Sequence, residues 1–185
     1  MATIRAYKTS DEAGWLRCRL LSFFDTAYFD DVKTTKTTLD GPGVELVAIE
    51  DGIVVGLIDL EIDDSLATID TIAVHPDYSR RGIATALLTS AVAALPNSAT
   101  DLDAWTRDDE PALGWYRSQG MVEEAHYLHV YKQLNEPADG FDTPDGLSTP
   151  VTAFMHAPLA REAELRERFS RVVVCQRFVR ALAPR

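Results

Sequence analysis

A strand pattern that passes through a short turn directly into a helix constrains this sequence more than any other feature. The β-branched run that begins at Ile69 ends at a proline-containing turn, and an alanine-rich helix pattern then continues to Leu95. The first N–H groups of a helix lack internal partners and the helix dipole is positive there, so such a turn is suited to hold a pyrophosphate. Gly82 and Ala84 are small where a phosphate would approach the backbone.

The rest of the chain predicts one mixed α/β arrangement. Asp51-Gly52 between two apolar runs is a strong signal for a two-residue hairpin. We expect strands near residues 4–6, 44–50, 53–63, 66–74, 102–106, 121–134 and 172–179, and helices after residue 12 and over 82–95, 109–119 and 158–169.

Two local patterns make more detailed predictions. Thr9-Ser10-Asp11-Glu12 has the form of a capping box, and the helix after it would bury Leu16, Leu20, Phe23 and Phe24. In the strand over 53–63, apolar residues alternate with Asp59, Glu61 and Asp63, which predicts one buried face and one solvent-exposed face.

Composition limits the classes of protein. A chain of 185 residues with 46% hydrophobic and 25% charged residues is typical of one globular domain. The net charge of −11 disfavours nucleic acid and anionic membranes and would attract a cationic amine, although a generically acidic surface explains it equally well.

No apolar run approaches the roughly 20 residues that span a bilayer, and the first residues lack a signal pattern, so we expect a cytoplasmic protein. Cys18 and Cys175 match no zinc or redox spacing, and we expect no metal.

Two motifs resemble those of the GNAT superfamily of acyl-CoA-dependent acyltransferases. The stretch from Ser79 to Thr85 is similar to the acyl-CoA-binding signature Arg/Gln-x-x-Gly-x-Gly/Ala, except that Ser79 stands at its first position. The stretch from Asp109 to Met121 is similar to the family's Asn-x-x-Ala-x-x-Phe-Tyr-x-x-x-Gly-Phe helix. Two motifs in this order, separated by one strand, are more specific than either alone.

The resemblance extends over roughly residues 2–134 and implies an α/β (α+β) fold. Its sheet would be mixed and mostly antiparallel, with helices on both faces and with the fourth and fifth strands splayed apart. Residues 1–185 would form this single domain, with 135–169 as an insertion before the last strand. Acetyl-CoA or another acyl-CoA would be the co-substrate. The implied cofactor-binding residues are Ile72, Ala73, Val74, Ser79, Arg80, Arg81, Gly82, Ile83, Ala84, Thr85, Asp109 and Tyr116.

The family chemistry implied is transfer of an acetyl group to a primary amine by direct attack in a ternary complex. Tyr116 stands at the position of the tyrosine that protonates the departing thiolate; a core aromatic residue is the alternative. An alkylamine with a pKa near 10.4 requires a base or a water relay. Asp70 is the first candidate, because a carboxylate in a strand covered on both faces is costly unless it is used. A carboxylate paired with a backbone group or an arginine is the structural alternative.

An aromatic and acidic segment falls where the family places its acceptor-binding residues. We expect a small-molecule or peptide amine there, although some of these aromatics could instead belong to the core. His129 would line the pocket if residues 135–169 fold over its strand face, and would otherwise be a surface side chain. The candidate substrate-binding residues are Phe24, Tyr28, Phe29, Asp59, Glu61 and His129.

A non-catalytic acyl-CoA-binding or regulatory module is the competing interpretation, because it would keep the phosphate turn and lose the acid and the base. The presence of Tyr116 and Asp70 favours the enzyme. No Gly-x-x-x-x-Gly-Lys or Gly-x-Gly-x-x-Gly motif follows a strand, which leaves nucleotide hydrolysis and dinucleotide chemistry unsupported. The sequence does not identify the acceptor and leaves a homodimer open.

Overall fold

The computed structural model describes residues 2–183, which form one eight-stranded mixed sheet flanked by four helices. The strand order across the sheet is β1-β2-β3-β4-β5-β8-β6-β7. The strands are β1 (Thr3–Ala6), β2 (Gly43–Glu50), β3 (Ile53–Asp63), β4 (Leu66–Val74), β5 (Asp101–Arg107), β6 (Val122–Lys132), β7 (Ala153–Ala157) and β8 (Arg171–Ala181). The helices are α1 (Glu12–Phe23), α2 (Ile83–Ala94), α3 (Glu110–Ser118) and α4 (Glu162–Arg168).

Helices cover both faces of the sheet, as expected. On one face, Trp15 and Cys18 of α1 pack against β2, β3 and β4. On the other face, α2 and α3 bury Leu87, Leu113 and their neighbours in the largest apolar cluster. A smaller cluster beneath α4, centred on Leu165, covers the same side of β6 and β8. The side of β6 and β8 that faces α1 therefore carries no helix among the described residues.

The predicted splay lies between β4 and β5. These two strands are the parallel pair of the described sheet, and their register covers four positions, from Leu66 opposite Asp101 to Ile69 opposite Ala104. A bulge coincides with the separation: Asp59 of β3 pairs with Thr71 and Leu60 pairs with Ile69, so Asp70 between them has no partner. A bulge bends its strand and increases the local twist, which accounts for the departure of β4 from β5.

The last strand in the chain is not last in the sheet. β8 lies between β5 and β6 and is antiparallel to both. The preceding segment supplies α4 and also β7, which pairs with the outer edge of β6. We did not predict β7, because five residues between turn-forming stretches carry too little periodicity to be recognised.

Two predictions about the start and the buried face of α1 were wrong. Asp11, rather than Thr9, completes the cap before α1: its side chain accepts the Lys8 backbone N–H at 2.9 Å. The buried face of α1 contains Trp15, Cys18 and Arg19, while Leu20 and Phe24 are exposed. The reason is that α1 packs its Trp15 side on the sheet and buries Arg19 with a carboxylate partner, which apolar spacing does not reveal.

The prediction of a solvent-exposed face on β3 was wrong at Asp59 but correct at Asp63, which is exposed. Every residue from Val54 to Leu60 is buried, Asp59 included. The face expected to be wet is covered by α1 and by the segment after it, from which Lys36 reaches under the helix to Asp59. Polar alternation on β3 thus marks a buried ion pair rather than contact with solvent.

Candidate active site

The splay opens a cleft of about 340 Å³ between β4 and β5. β4 forms one wall, the start of α3 forms the opposite wall, and α1 and the residues after it close one end. Predicted residues that line this cleft are Tyr28, Asp70, Ile72, Ala73, Val74, Ala84, Asp109 and Tyr116.

The turn that precedes α2 is open and electropositive. Gly82 is the N-cap in the left-handed region, with φ 78°, and no side chain caps the helix. The first turn of α2 contains no acidic residue, and a side chain at Gly82 would meet nothing within 4 Å. Unsatisfied N–H groups that face open space at the positive end of a 12-residue helix fit the pyrophosphate of an acyl-CoA.

The two arginines of this turn differ in whether their guanidinium groups are already paired. Arg80 has no partner in the described part of the chain, whereas Arg81 pairs with Glu50 at 2.7 Å. The Ser79 N–H donates to the Pro76 carbonyl at 3.1 Å and so is not free to bind a phosphate.

Two predicted residues after Gly82, Ile83 and Thr85, do not line the cleft. Their side chains contact the core and α3. The Ile83 side chain is buried in the core, and only its backbone remains at the turn. The Thr85 hydroxyl lies 3.3 Å from both Trp115 Nε1 and Gln119 Nε2, which ties the start of α2 to α3.

The free edge of β4 presents backbone groups to the cleft. The His75 N–H donates to the Val55 carbonyl at 3.0 Å, so alternate residues such as Ala73 bond to β3. The backbone groups of Ile72 and Val74 therefore point to the side that β5 has left, where the Val74 carbonyl accepts a hydrogen bond from the Ser22 hydroxyl at 2.7 Å. Such groups can bind an extended chain of amides as another strand would.

Tyr116 lies on the wall opposite β4. Its ring is buried and stacks on Phe178, with centroids 5.4 Å apart. Burial raises the pKa of Tyr116, so the phenol stays protonated at neutral pH. Because the residue lines the cleft and no described group hydrogen-bonds its hydroxyl, this proton is available to a ligand.

Three carboxylates line the cleft, and they differ in their partners. Asp31 pairs with Arg19 at 2.6 Å, and Asp109 accepts the Ala112 N–H at 3.2 Å as the N-cap of α3. Asp70 has no hydrogen bond or ion pair with the described residues and is exposed to the cleft. Our premise that Asp70 is buried was wrong, since the splay uncovers β4 at this residue.

The segment between α1 and β2 is fastened to the rim of the cleft. The Tyr28 hydroxyl lies 3.2 Å from Thr106 Oγ1 and accepts the Arg107 N–H at 2.7 Å. Asp30 pairs with Arg107 at 3.0 Å and with Arg171 at 2.8 Å. These two guanidinium groups lower the pKa of Asp30 to about 2.

Asp59 lies beneath this segment, outside the lining of the cleft. Its carboxylate is buried 2.9 Å from Lys36 Nζ, and Lys36 also pairs with Glu45. Burial raises the pKa of Asp59 to about 6, and Lys36 opposes that shift. The pair fixes the segment to the sheet, which is a structural role.

Four other predicted acceptor residues also lie outside the cleft lining. Phe24 follows the end of α1 and is 67% exposed, and Phe29 packs beneath Arg171. Glu61 lies on β3 beyond the bulge. His129 is buried among aromatic side chains on β6, where burial lowers its pKa to about 4.

Sequence reasoning missed two notable side chains that line the cleft, Arg19 and Trp105. Arg19 is buried within α1 and donates to the Asp31 carboxylate and carbonyl, both at 2.6 Å. Trp105 projects from β5 and is 40% exposed. No motif marks either side chain; Trp105 could have been found from its position on the strand that departs from β4.

No group of three or more potential ligand side chains in residues 2–183 is arranged to hold a metal ion. Within the same residues, no helix is long and apolar enough to cross a membrane.

Comparisons with known proteins agree with this geometry. The model of the acetyltransferase (GNAT) family matches residues 5–121. No curated protein sequence that was compared matches the chain. Among solved structures, Ard1 from Thermoplasma volcanium superposes with a TM-score of 0.61 at 17% identity, covering 98% of each chain.

Two further similar structures hold a coenzyme. YncA, a putative acetyltransferase from Salmonella typhimurium with its cofactor acetyl-CoA, has a TM-score of 0.60 at 14% identity and covers 100% of this chain and 96% of its own. PaiA N-acetyltransferase from Thermoplasma acidophilum, in complex with coenzyme A, has a TM-score of 0.57 at 14% identity over 67% and 91%. At these identities the likeness concerns the fold, and the match of the family model over residues 5–121 decides the assignment: the chain belongs to the acetyltransferase (GNAT) family.

Proposed function

We propose that this protein transfers the acetyl group of acetyl-CoA, or a related acyl group, to a primary amine by direct attack in a ternary complex. The observation that carries the proposal is the cleft itself. One continuous opening is lined by the free edge of β4, the unpaired carboxylate of Asp70 and the protonated phenol of Tyr116. The phosphate-binding turn lies at the start of α2, whose Ala84 also lines it.

Each wall of the cleft has a separate part in the reaction. The turn at Gly82 holds the pyrophosphate, and the edge of β4 at Ile72 and Val74 holds the pantetheine amides and the thioester carbonyl. Backbone N–H groups fixed on that edge stabilise the oxyanion that forms on attack.

Proton transfer uses the two side chains on opposite walls. Asp70 takes a proton from the ammonium group, and the amine nitrogen then attacks the thioester carbon. The C–N bond forms, the nitrogen releases its second proton to water, the C–S bond breaks, and the sulfur takes its proton from Tyr116. Solvent returns the proton of Asp70 to Tyr116 before the next turnover.

Direct attack is favoured over a covalent acyl-enzyme by what lines the cleft. Among the described lining residues there is no cysteine, and no histidine stands beside a hydroxyl to activate it. Cys18 lies on the buried face of α1, and its burial raises the pKa of the thiol to about 11. No residue in the cleft lining is therefore placed as an activated nucleophile.

Steady-state kinetics with both substrates test whether the amine attacks acetyl-CoA directly. We expect intersecting lines in double-reciprocal plots for acetyl-CoA and amine, and a product that has gained one acetyl group by mass spectrometry. Parallel lines would indicate an acyl-enzyme and contradict direct attack.

Substitution of the base provides the second arm. Asp70→Asn should lower kcat/KM about 10²-fold near neutral pH, which is the lower range for a general base. The loss should shrink as the pH approaches the amine pKa, because the free amine then needs no base. The matched control is Asp63→Asn, an exposed carboxylate at the far end of β3. Equal rates in both variants would remove Asp70 from the mechanism.

A further inference from the structure

A row of aromatic side chains continues from the cleft across the open face of the sheet. Trp105 lines the cleft, and its ring centroid lies 5.0 Å from that of Tyr127 on β6. Tyr127 lies 4.8 Å from His156 on β7, and His156 lies 5.1 Å from both Phe154 and His129. The row therefore extends from the splayed strand to the edge of the sheet.

The outer rings of this row are accessible. Trp105 is 40% exposed, Phe154 is 53% exposed and His156 is exposed. The Tyr127 hydroxyl and His129 Nε2 lie 2.9 Å apart and satisfy each other, so the row presents mainly ring faces and edges, with the ring nitrogens of Trp105 and His156 as its exposed polar groups. An exposed aromatic surface that joins a cleft is typical of a ligand-binding surface.

Positive charge beside this aromatic surface limits the class of ligand that can bind to it. Arg171 and Arg107 lie 3.8 Å and 5.7 Å from the centroid of Tyr131, at the far end of the row. Both arginines share one carboxylate, Asp30. Two guanidinium groups against one carboxylate leave local positive charge, which repels a second cation on a ligand but not an uncharged ring.

We infer that the acceptor is a monoamine with an uncharged aromatic ring, which contacts the row at its Trp105 and Tyr127 end while the amino group reaches Asp70. This inference rests on the proposed function and adds the class of substrate. Aromatic rings prefer offset or edge-to-face contacts with centroids roughly 4.5–7 Å apart, and the row itself is built at that spacing. A ring on a short linker can therefore extend the row where it meets the cleft.

A panel of three amines tests the class of acceptor. With acetyl-CoA as donor, 2-phenylethylamine should have a kcat/KM about tenfold above those of 1-propylamine and 1,4-diaminobutane. Trp105→Ala should reduce this preference roughly three- to tenfold, the value of one aromatic contact. Trp105→Phe should retain the preference. Phe24→Ala, which removes an exposed aromatic ring outside the cleft lining, is the matched control.

The outcomes separate this inference from the proposed function. Preference for the diamine, or an equal preference in the Trp105→Ala and Phe24→Ala variants, would overturn the inference and leave amine acetylation intact. A change of oligomeric state in Trp105→Ala without a change of preference would assign the row to a second copy of the chain, and would also overturn it. Acetyl-CoA binding with no acetylation of any amine would overturn both.

Discussion

At the scale of single residues, the site depends on which polar groups lack partners. Asp31 and Asp109 are occupied by Arg19 and by the N-terminus of α3, whereas Asp70 is unpaired. The sequence identified Asp70 for a reason that the structure contradicts, because burial was assumed and exposure is observed. Its position on a strand could be predicted, but the bulge that turns it into the cleft could not.

Tyr116 gives the first prediction at this scale. Tyr116→Phe should lower kcat about 10²-fold, since a general acid contributes at least that factor. The substituted ring keeps its stacking on Phe178, so the midpoint of urea unfolding should change little. Initial rates with saturating acetyl-CoA check the first statement. Unchanged turnover would show that the phenol is not the proton donor.

At the scale of elements, contacts between neighbouring elements determine where each helix and segment lies. Gly56 on β3 faces α2, and a side chain there would approach Ile83 at 2.7 Å and Leu87 at 3.0 Å. The absence of a side chain lets α2 lie close to the sheet and so positions the turn at Gly82, which we propose binds the pyrophosphate.

Gly56→Ala should therefore affect stability and binding together. We expect a loss of about 1 kcal/mol in the free energy of unfolding from overpacking, and a several-fold weaker affinity for acetyl-CoA by calorimetry. Gly114→Ala on α3 is the matched control, because its added methyl group would meet nothing within 4 Å. Equal behaviour of the two variants would show that α2 is not held by this close approach.

The segment between α1 and β2 makes a pH-dependent prediction. The pKa of Asp30 is about 2 in the folded protein, below the value near 3.9 of an unfolded chain. Its ion pairs therefore stabilise the fold above pH 4, and that contribution is lost as the pH falls toward 2. Because the Asp30 side chain is 32% exposed, we expect only about 1 kcal/mol after solvent screening.

Asp30→Asn measures this contribution. Urea unfolding at pH 7 should show a loss of about 1 kcal/mol relative to the unsubstituted protein, and the difference should vanish near pH 2. A difference of equal size at both pH values would mean that the loss comes from packing rather than charge.

Elements also show what the sequence could and could not reveal. The Asp51-Gly52 hairpin and the N-cap Asp109 were predicted correctly, because each depends on chemistry within a few residues. The buried face of α1 and the covered face of β3 were not, because both depend on Lys36 and Arg19 finding carboxylates that are distant in sequence. Local patterns do not encode such ion pairs.

At the scale of the whole molecule, the splay of β4 from β5 joins the separate motifs into one site. The motifs at Ser79–Thr85 and Asp109–Met121 predicted the family and the sheet without any knowledge of the cleft. The aromatic row was not predicted, because its members come from three strands, one of which is β7. Single-sequence patterns place residues on strands but do not determine which strands become neighbours.

Amine-dependent release of free CoA thiol from acetyl-CoA tests the central claim most directly. The proposed function predicts thiol release that rises to saturation with added amine and matches the acetylated product in amount. Tyr116→Phe and Asp70→Asn should both reduce that release under the same conditions. Saturable binding of acetyl-CoA with no amine-dependent thiol release from any amine would contradict the claim and identify a non-catalytic acyl-CoA-binding module.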